Sequence, residues 1–347
     1  MNWRLIAIPV TLVPILAIAL QFEIGIDDVL AVGLWPFVGA IIAVMAKLAL
    51  QGIKFAYIAR SYIGNSFDSI KKLVGVRMGS EFIKFTTPMF VGAELVVIYY
   101  LHKKNVKTSQ ATWVAILDIV TEVLAAGTLS VIAGIIALVN GAYVVAAVVL
   151  GTSIPITALW VTLFFLSSKR TFQTPIVIKK LLIKIGKKKA AKIVEDANVW
   201  MNDICYMSRN NMHTTKAKKV FLVSLTASMV SWILYGISFF IITLGTGYVL
   251  GAFDSVMAVM GANAIGNLPI TVGGSGLAEF GIVAFLTNAD IFNLDITGHS
   301  DIWKSVIGWR VATYYVPIAI TWFLLVKLAL SKYKNKANVG TVNSAPK

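Results

Sequence analysis

Long runs of apolar residues, separated by short polar stretches, dominate the chain. Six are long enough to cross a bilayer, at about 4–22, 30–56, 111–139, 142–166, 219–245 and 302–330, since a span needs about 20 predominantly apolar residues. Two more, 82–101 and 252–287, are apolar but broken in the middle. The first break holds Thr86-Thr87-Pro88 and Gly92, and the second holds Pro269 and Gly273-Gly274-Ser275-Gly276. Proline removes a backbone donor and glycine loosens the helix, so each segment predicts a pair of short half-helices. The expected fold is an all-α polytopic membrane protein.

The polar stretches predict how the spans are threaded. Segment 23–29 holds Glu23, Asp27 and Asp28 without Lys or Arg, and is expected outside. Segment 57–84 holds Arg60, Lys71, Lys72, Arg77 and Lys84, and the link 102–110 holds Lys103, Lys104 and Lys107. Both read as cytoplasmic loops, because inner loops are enriched in Lys and Arg. The broken segment 82–101 would then enter and leave from the inside, as a re-entrant hairpin. Loop 167–218 is strongly basic and is also expected inside. From the end of helix 219–245 to Asp301 there is no Lys or Arg, while Asp254, Asp290, Asp295 and Asp301 are present. Segment 252–287 would therefore be a hairpin entering from outside. The last span returns to a basic tail with Lys332, Lys334 and Lys336. The expected layout is a first half over 1–166, a basic interfacial loop over 167–218, a second half over 219–330 and a cytoplasmic tail over 331–347. Both termini face the cytoplasm of a cell membrane.

Composition agrees with a chain solvated mostly by lipid. Of 347 residues, 58% are hydrophobic and 14% charged, against about 25% charged in soluble domains. The formal charge of +15 raises nucleic acid as a partner. The basic residues lie between apolar spans and not on one soluble domain, so no nucleic-acid partner is expected. Cys205 is the single cysteine, which excludes an intrachain disulfide and a Cys-rich metal site, and it reads as a spectator thiol. Met1-Asn2-Trp3-Arg4 before an apolar run resembles a signal peptide but lacks a convincing cleavage site, so it reads as an uncleaved first helix.

An internal repeat joins the two broken segments. Pro88-Met89-Phe90-Val91-Gly92 matches Pro269-Ile270-Thr271-Val272-Gly273, and Ala93-Glu94-Leu95 matches Ala278-Glu279-Phe280 with Gly274 to Leu277 inserted. Two copies entering from opposite faces make an inverted-topology repeat, a transporter design. Between the halves, Ile178, Leu181, Leu182 and Ile185 fall at helical spacing beside Lys179, Lys180 and Lys184. This suits a helix lying on anionic lipid, with a solvated basic loop as the alternative. A second amphipathic piece is expected through Ile193, Ala197, Trp200 and Ile204.

Candidate chemistry collects at the breaks. Lipid cannot satisfy irregular backbone, so Pro88, Gly92, Pro269, Gly273, Gly274 and Gly276 should line a cavity or pack as tight turns inside protein. Exposed N–H groups at a half-helix start can bind an anion, and a phosphate headgroup is the natural one. Glu94 and Glu279 follow the breaks. A carboxylate in the bilayer costs about 2.5 to 3.5 kcal/mol and requires a cation, a proton or a wet cavity. Arg310 is the expected partner of Glu279, as a functional or a structural pair. Asp118 and Glu122 lie four apart on one helix face and suit a proton or cation site, with Lys84 or Lys47 available to neutralise one of them. Lys47 is expected to snorkel to the inner surface. His102, His213 and His299 lack ligand spacing, and no Walker-type loop or nucleophile elbow is present. No metal, cofactor or catalytic residue is expected.

At these residues the chain resembles the lysylphosphatidylglycerol synthase transmembrane family, also called the flippase-like domain family. Leu268-Pro269-Ile270-Thr271-Val272-Gly273-Gly274-Ser275-Gly276-Leu277-Ala278-Glu279 is similar to that family's Pro-Gly-Gly-x-Gly…Glu signature. Thr87-Pro88…Gly92-Ala93-Glu94 resembles its earlier Pro…Gly-Glu motif, Asp118 and Glu122 its acidic pair, and Arg310 to Pro317 its last helix. The chain departs from the family at Val272, where proline is usual, at the inserted Ala93, and at Phe90, Val97 and Ile119, where basic residues are common. The tail ends at Lys347, so a soluble synthase domain is not expected. The resemblance implies translocation of a lipid: an anionic or aminoacylated phospholipid or a polyprenyl phosphate. A homo-oligomer is compatible with it. Two other classes stay open: a membrane-embedded glycosyltransferase using Asp290, Asp295 and Asp301, and a scaffold for a separate lipid synthase.

Overall fold

The computed structural model describes residues 27, 32–87, 92–169, 173–174, 187–212, 214–268, 271, 274–287 and 300–328. The expected first span 4–22, the stretch 175–186, the loop 288–299 and the tail 331–347 lie outside the described residues, as do Pro88, Pro269 and Gly273. The described chain is helical: α1 Leu34–Ile63, α2 Ile70–Phe85, α3 Ala93–Lys103, α4 Thr108–Val139, α5 Tyr143–Lys169, α6 Lys187–Met212, α7 Thr215–Thr246, α8 Ala252–Gly266, α9 Leu277–Thr287 and α10 Ser300–Arg310. A π-helical turn, Val311–Tyr315, continues α10, and the helix runs on to Leu328. Five helices (α1, α4, α5, α7 and the long α10) are long and apolar enough to span a membrane. They correspond to five of the six expected spans. The protein is an all-α polytopic membrane protein.

Helix pairing follows the apolar faces. α1 packs along α7, α4 along α5, α2 against α3 and α8 against α9, with α4 also meeting α7 and α8. The outer faces stay apolar: Ile132, Leu138, Leu159, Leu163, Leu222, Leu244 and Phe323 are exposed, as suits side chains solvated by lipid tails. Lipid supplies no hydrophobic drive for helix association, so close backbone approach and interhelical hydrogen bonds matter. Ser130 on α4 donates to the Met260 carbonyl on α8 at 2.8 Å, and the Trp309 indole on α10 donates to Ser238 on α7 at 2.9 Å.

Side-chain contacts join the helix ends around the two pairs of short helices. The end of α1 meets the start of α4, where the Gln110 amide donates to the Tyr62 carbonyl at 2.9 Å. There too the start of α2 meets the end of α3: Tyr100 donates to Asp68 at 2.7 Å and Lys104 lies 3.1 Å from it. α7 and α10 meet at the other end, where the Thr246 and Ser305 hydroxyls hydrogen bond at 2.5 Å. α8 and α9 are inserted between them.

The stretch 57–84, expected as a basic loop, is the end of α1, a turn and α2. The physical reason is that Arg77, Glu81 and Lys84 are neutralised in the interior by one another and by Asp118 and Glu122 of α4, while Lys71 and Lys72 stay exposed. The amphipathic piece expected around Ile193–Ile204 is α6, packed on α4 and α5. Its buried face carries Val194, Ile204, Cys205 and Ser208, while Trp200 is exposed.

Two apolar clusters stack along the bundle. One gathers Phe55, Leu73, Leu101, Trp113 and Val220, from the end of α1, the short helices α2 and α3, and the starts of α4 and α7. The other gathers Ala40, Leu129, Phe239, Met260 and Trp303, from the opposite ends of the long helices with α8 and α10. Between them, near mid-height, lie the buried polar residues Lys47, Gln51 and Lys54 of α1, Asp118 and Glu122 of α4, and Ser224, Ser228 and Ser231 of α7. The fold thus places a polar band inside an apolar shell.

A Cβ on Gly236 of α7 would lie 2.5 Å from the Val256 Cα of α8. Gly236→Ala is expected to destabilise the protein by about 1–3 kcal/mol, as overpacking does, whereas Gly151→Ala, with nothing within 4 Å, is expected to be neutral. Thermal unfolding in detergent checks both. Burial pushes the Cys205 thiol pKa up, and the thiolate is the reactive form. Maleimide labelling of native protein at neutral pH should be slow, and should accelerate as pH rises.

Candidate functional site

The polar band is built on α2. Ser69 caps this helix, accepting a hydrogen bond from the Lys72 N–H. Arg77, Glu81 and Lys84 follow at helical spacing and share one face. That face meets the Asp118 and Glu122 face of α4. Arg77 Nε lies 2.7 Å from Asp118 Oδ2, its Nη2 lies 2.9 Å from Glu122 Oε2, and its Nη1 pairs with Glu81. Lys84 pairs with Glu122. Lys54 of α1 completes the network: its Nζ lies 2.9 Å from Asp118 Oδ1 and donates to the Asp118 carbonyl at 2.9 Å and to Ser228 at 3.1 Å. Three cations face three carboxylates, and the network is neutral. A guanidinium suits the central place because its planar fork serves several oxygens at fixed angles.

Asp118 and Glu122 do lie on one face, and Lys84 does neutralise Glu122. Their oxygens are engaged by protein cations. Lys47 differs from its expectation. It does not reach the surface but is 6% exposed, with Nζ 4.2 Å from the Trp232 ring centre and 3.9 Å from that of Tyr235. Two aromatic faces replace water around its ammonium.

The breaks are closed by carboxylates. Gly92 precedes α3 with φ of 119°, and Glu94 turns back so that its Oε2 accepts the Gly92 N–H at 3.0 Å. Gly276 precedes α9 with φ of 85°, and Glu279 Oε2 accepts the Gly276 N–H at 2.8 Å. In both breaks the chain enters the helix through a left-handed residue, a conformation open to glycine. Both carboxylates then occupy the positive end of their own helix. By this geometry Gly92 corresponds to Gly276, three residues beyond the Gly273 with which the sequence repeat aligns it. Gly274 lies against the end of α8, where a Cβ would sit 3.1 Å from the Gly266 carbonyl oxygen.

Glu279 is fully buried and its Oε1 lies 2.8 Å from Arg310 Nε, the expected pair. Arg310 also donates to Ser275 at 3.4 Å and stacks 4.1 Å from the Tyr314 ring centre. Tyr314 in turn donates to the Phe85 carbonyl at 2.7 Å, where α2 runs into the first break. This contact ties the second-half pair to the first-half network. The π turn here precedes Pro317, whose missing N–H interrupts the regular ladder. On the other side, Glu94 lines a void of about 10 Å³ with Arg77, Val97 and Asp118, about the room of one water molecule.

Lys54, Arg77 and Glu81 are members that the sequence pattern did not single out. The spacing of Arg77, Glu81 and Lys84 was the available signal. Among the described residues no His, Cys, Asp or Glu cluster of metal-binding type occurs.

Removing one partner of a buried ion network leaves charge uncompensated, at a cost of about 3–5 kcal/mol. Arg77→Gln should lower thermal stability by that order. Glu94→Gln, which removes charge from a half-buried cap and leaves an acceptor, should lower it by about 1 kcal/mol or less. Unfolding of both variants in the same detergent checks the contrast.

No curated protein and no solved structure matches this chain. Residues 5–321 match the family described as the lysylphosphatidylglycerol synthase TM region. That stretch includes both glycine breaks, the acidic pair and Arg310. The chain belongs to this family of lipid-associated membrane domains.

Proposed function

We propose that this chain is a lipid translocase that carries a polar, phosphate-bearing headgroup across the membrane between two inverted halves. The observation that carries this reading is the polar band at mid-height, closed on each side by a glutamate-capped half-helix. Charges inside a span are expensive, and they mark substrate or ion pathways. Half-helix ends at the midplane are a feature of transporters built from inverted repeats. α2 with α3, and α8 with α9, are the two re-entrant hairpins, entering from opposite faces. Each returns to the end of the bundle from which it left, as the Asp68–Lys104 and Thr246–Ser305 contacts support.

In this reading Glu94 and Glu279 gate the band. Each holds its half-helix end while the site is closed and releases backbone N–H groups to a headgroup phosphate when it opens. Arg310 exchanges Glu279 for that phosphate. Gly92, Gly274 and Gly276 let backbone approach the ligand, and Pro88, Pro269 and Gly273 belong to the same two motifs. Asp118 and Glu122 hold the band together as carboxylates of the ion network. The lipid tails remain in the bilayer. The substrate class is an anionic or aminoacylated phospholipid or a polyprenyl phosphate. The protein resides in the cell membrane with Lys103, Lys104 and Lys107, and both termini, on the cytoplasmic side, following the distribution of basic residues.

The test is headgroup accessibility in proteoliposomes, using fluorescent lipids of each class and a quencher that cannot cross. Wild type should expose inner-leaflet label while empty vesicles should not. Glu279→Gln should slow this by about tenfold or more, equivalent to about 1.4 kcal/mol, because Arg310 loses its exchange partner. Full activity of a folded Glu94→Gln/Glu279→Gln double variant would remove the gating role. Absence of movement for every lipid class would remove the translocase.

A further inference from the structure

Lys47 and Gln51 of α1 take no part in either ion group. Lys47 has its ammonium on Trp232 and Tyr235 and makes no ion pair among the described residues. The neighbouring carboxylates Glu81 and Glu122 are held by Arg77 and Lys84. The three carboxylates of the first network are already matched by Lys54, Arg77 and Lys84, and Glu279 is matched by Arg310. Lys47 is thus a buried cation without an ion pair among the described residues, and the remaining carboxylate of the site, Glu94, caps its own half-helix at the Gly92 N–H. One helical turn further along α1 sits Gln51, 1% exposed, whose amide nitrogen and oxygen both lack a hydrogen-bond partner. A buried polar group left without a partner is destabilising. Lys47, Gln51 and Lys54 follow one another at helical spacing on one face. That face meets Trp232, Tyr235 and Ser228 of α7.

Among the described residues, a cation without an ion pair lies beside an amide without a partner, and the two make a receptor for an anion with several acceptor oxygens. The ammonium supplies charge and donors, and the amide N–H₂ supplies two more donors. A phosphate or phosphodiester satisfies both at once, and burial strengthens the interaction. A cationic headgroup is opposed at this point. We propose that Lys47 and Gln51 form a phosphate-group receptor at mid-height on α1, on the band between the two glutamate-capped breaks. This rests on the translocase reading for its role in transport, but the site binds its ligand whether or not transport follows.

The experiment is equilibrium binding to the purified full-length chain, with three probes: dioctanoyl phosphatidylglycerol, dioctanoyl phosphatidylcholine and inorganic phosphate. The anionic lipid should bind, and Lys47→Met and Gln51→Leu should each weaken it about tenfold or more. Lys47→Arg should retain most of the affinity. Binding of inorganic phosphate with the same sensitivity would assign the receptor to the free anion as well, and binding of the lipid alone would assign it to headgroups. Thermal unfolding supplies a second readout. Lys47→Met should leave the protein as stable or raise its midpoint, because a buried charge without an ion pair is removed. A large loss of stability in Lys47→Met, together with unchanged anionic-lipid binding in Gln51→Leu, would make this a packing feature and overturn the proposal. Equal affinity for phosphatidylcholine in all variants would also overturn it. Binding as expected without movement in proteoliposomes would leave the receptor standing and remove the translocase.

Discussion

Charge buried in an apolar bundle has to be answered by charge, since lipid offers none. That constraint organises this protein. The Arg77 guanidinium can serve Asp118, Glu122 and Glu81 together only if α2 is drawn into the interior beside α4. Lys54 can reach Asp118 only if α1 crosses α4 at the same height. The positions of three helices are thereby fixed relative to one another by a few oxygen atoms. Hydrophobic contact, being non-directional, could not do this in lipid, where the tails are as apolar as leucine.

The second half solves a smaller version of the problem. One arginine and one glutamate close on each other at 2.8 Å, with Tyr314 covering the guanidinium. The hydroxyl of that tyrosine then reaches the Phe85 carbonyl. A backbone acceptor at the end of α2 is therefore satisfied by a side chain of α10, far away along the chain. The two broken regions are thus joined by a direct hydrogen bond. A glutamate folded onto its own helix start is present on each side, so in both breaks the glycine N–H is satisfied by a carboxylate of the same half-helix.

Much of this was legible in the sequence. Long apolar runs gave five helices at nearly their expected limits, and proline with glycine marked the breaks. Glu279 with Arg310, and Asp118 with Glu122 on one face, could be read from burial cost and spacing. What was not legible concerns charges whose neutral environment exists only in three dimensions. Arg77 read as a loop residue because hydropathy treats each charge alone and α2 is short, whereas Lys84 could be read as a neutraliser of the acidic pair. Lys47 read as a snorkelling side chain because nothing along α1 announces that Trp232 and Tyr235, nearly two hundred residues away in sequence, will cover it. The correspondence of Gly92 with Gly276 also needed backbone angles. The string of letters aligned an earlier glycine of the run.

The neutrality of the α1–α2–α4 network has an electrical consequence. A transmembrane potential does work only on net charge displaced along the field, about 2.3 kcal/mol per elementary charge per 100 mV. Three cations locked to three carboxylates move together and couple almost nothing to the voltage, however far the helices shift. Arg310 with Glu279 is equally silent. Lys47 and Glu94, the charges of the site outside these pairs, are what the field can grip. If Lys47 holds a singly charged anion as proposed, its own contribution is cancelled in the loaded state, and the loaded and empty protein then differ in their response to membrane potential.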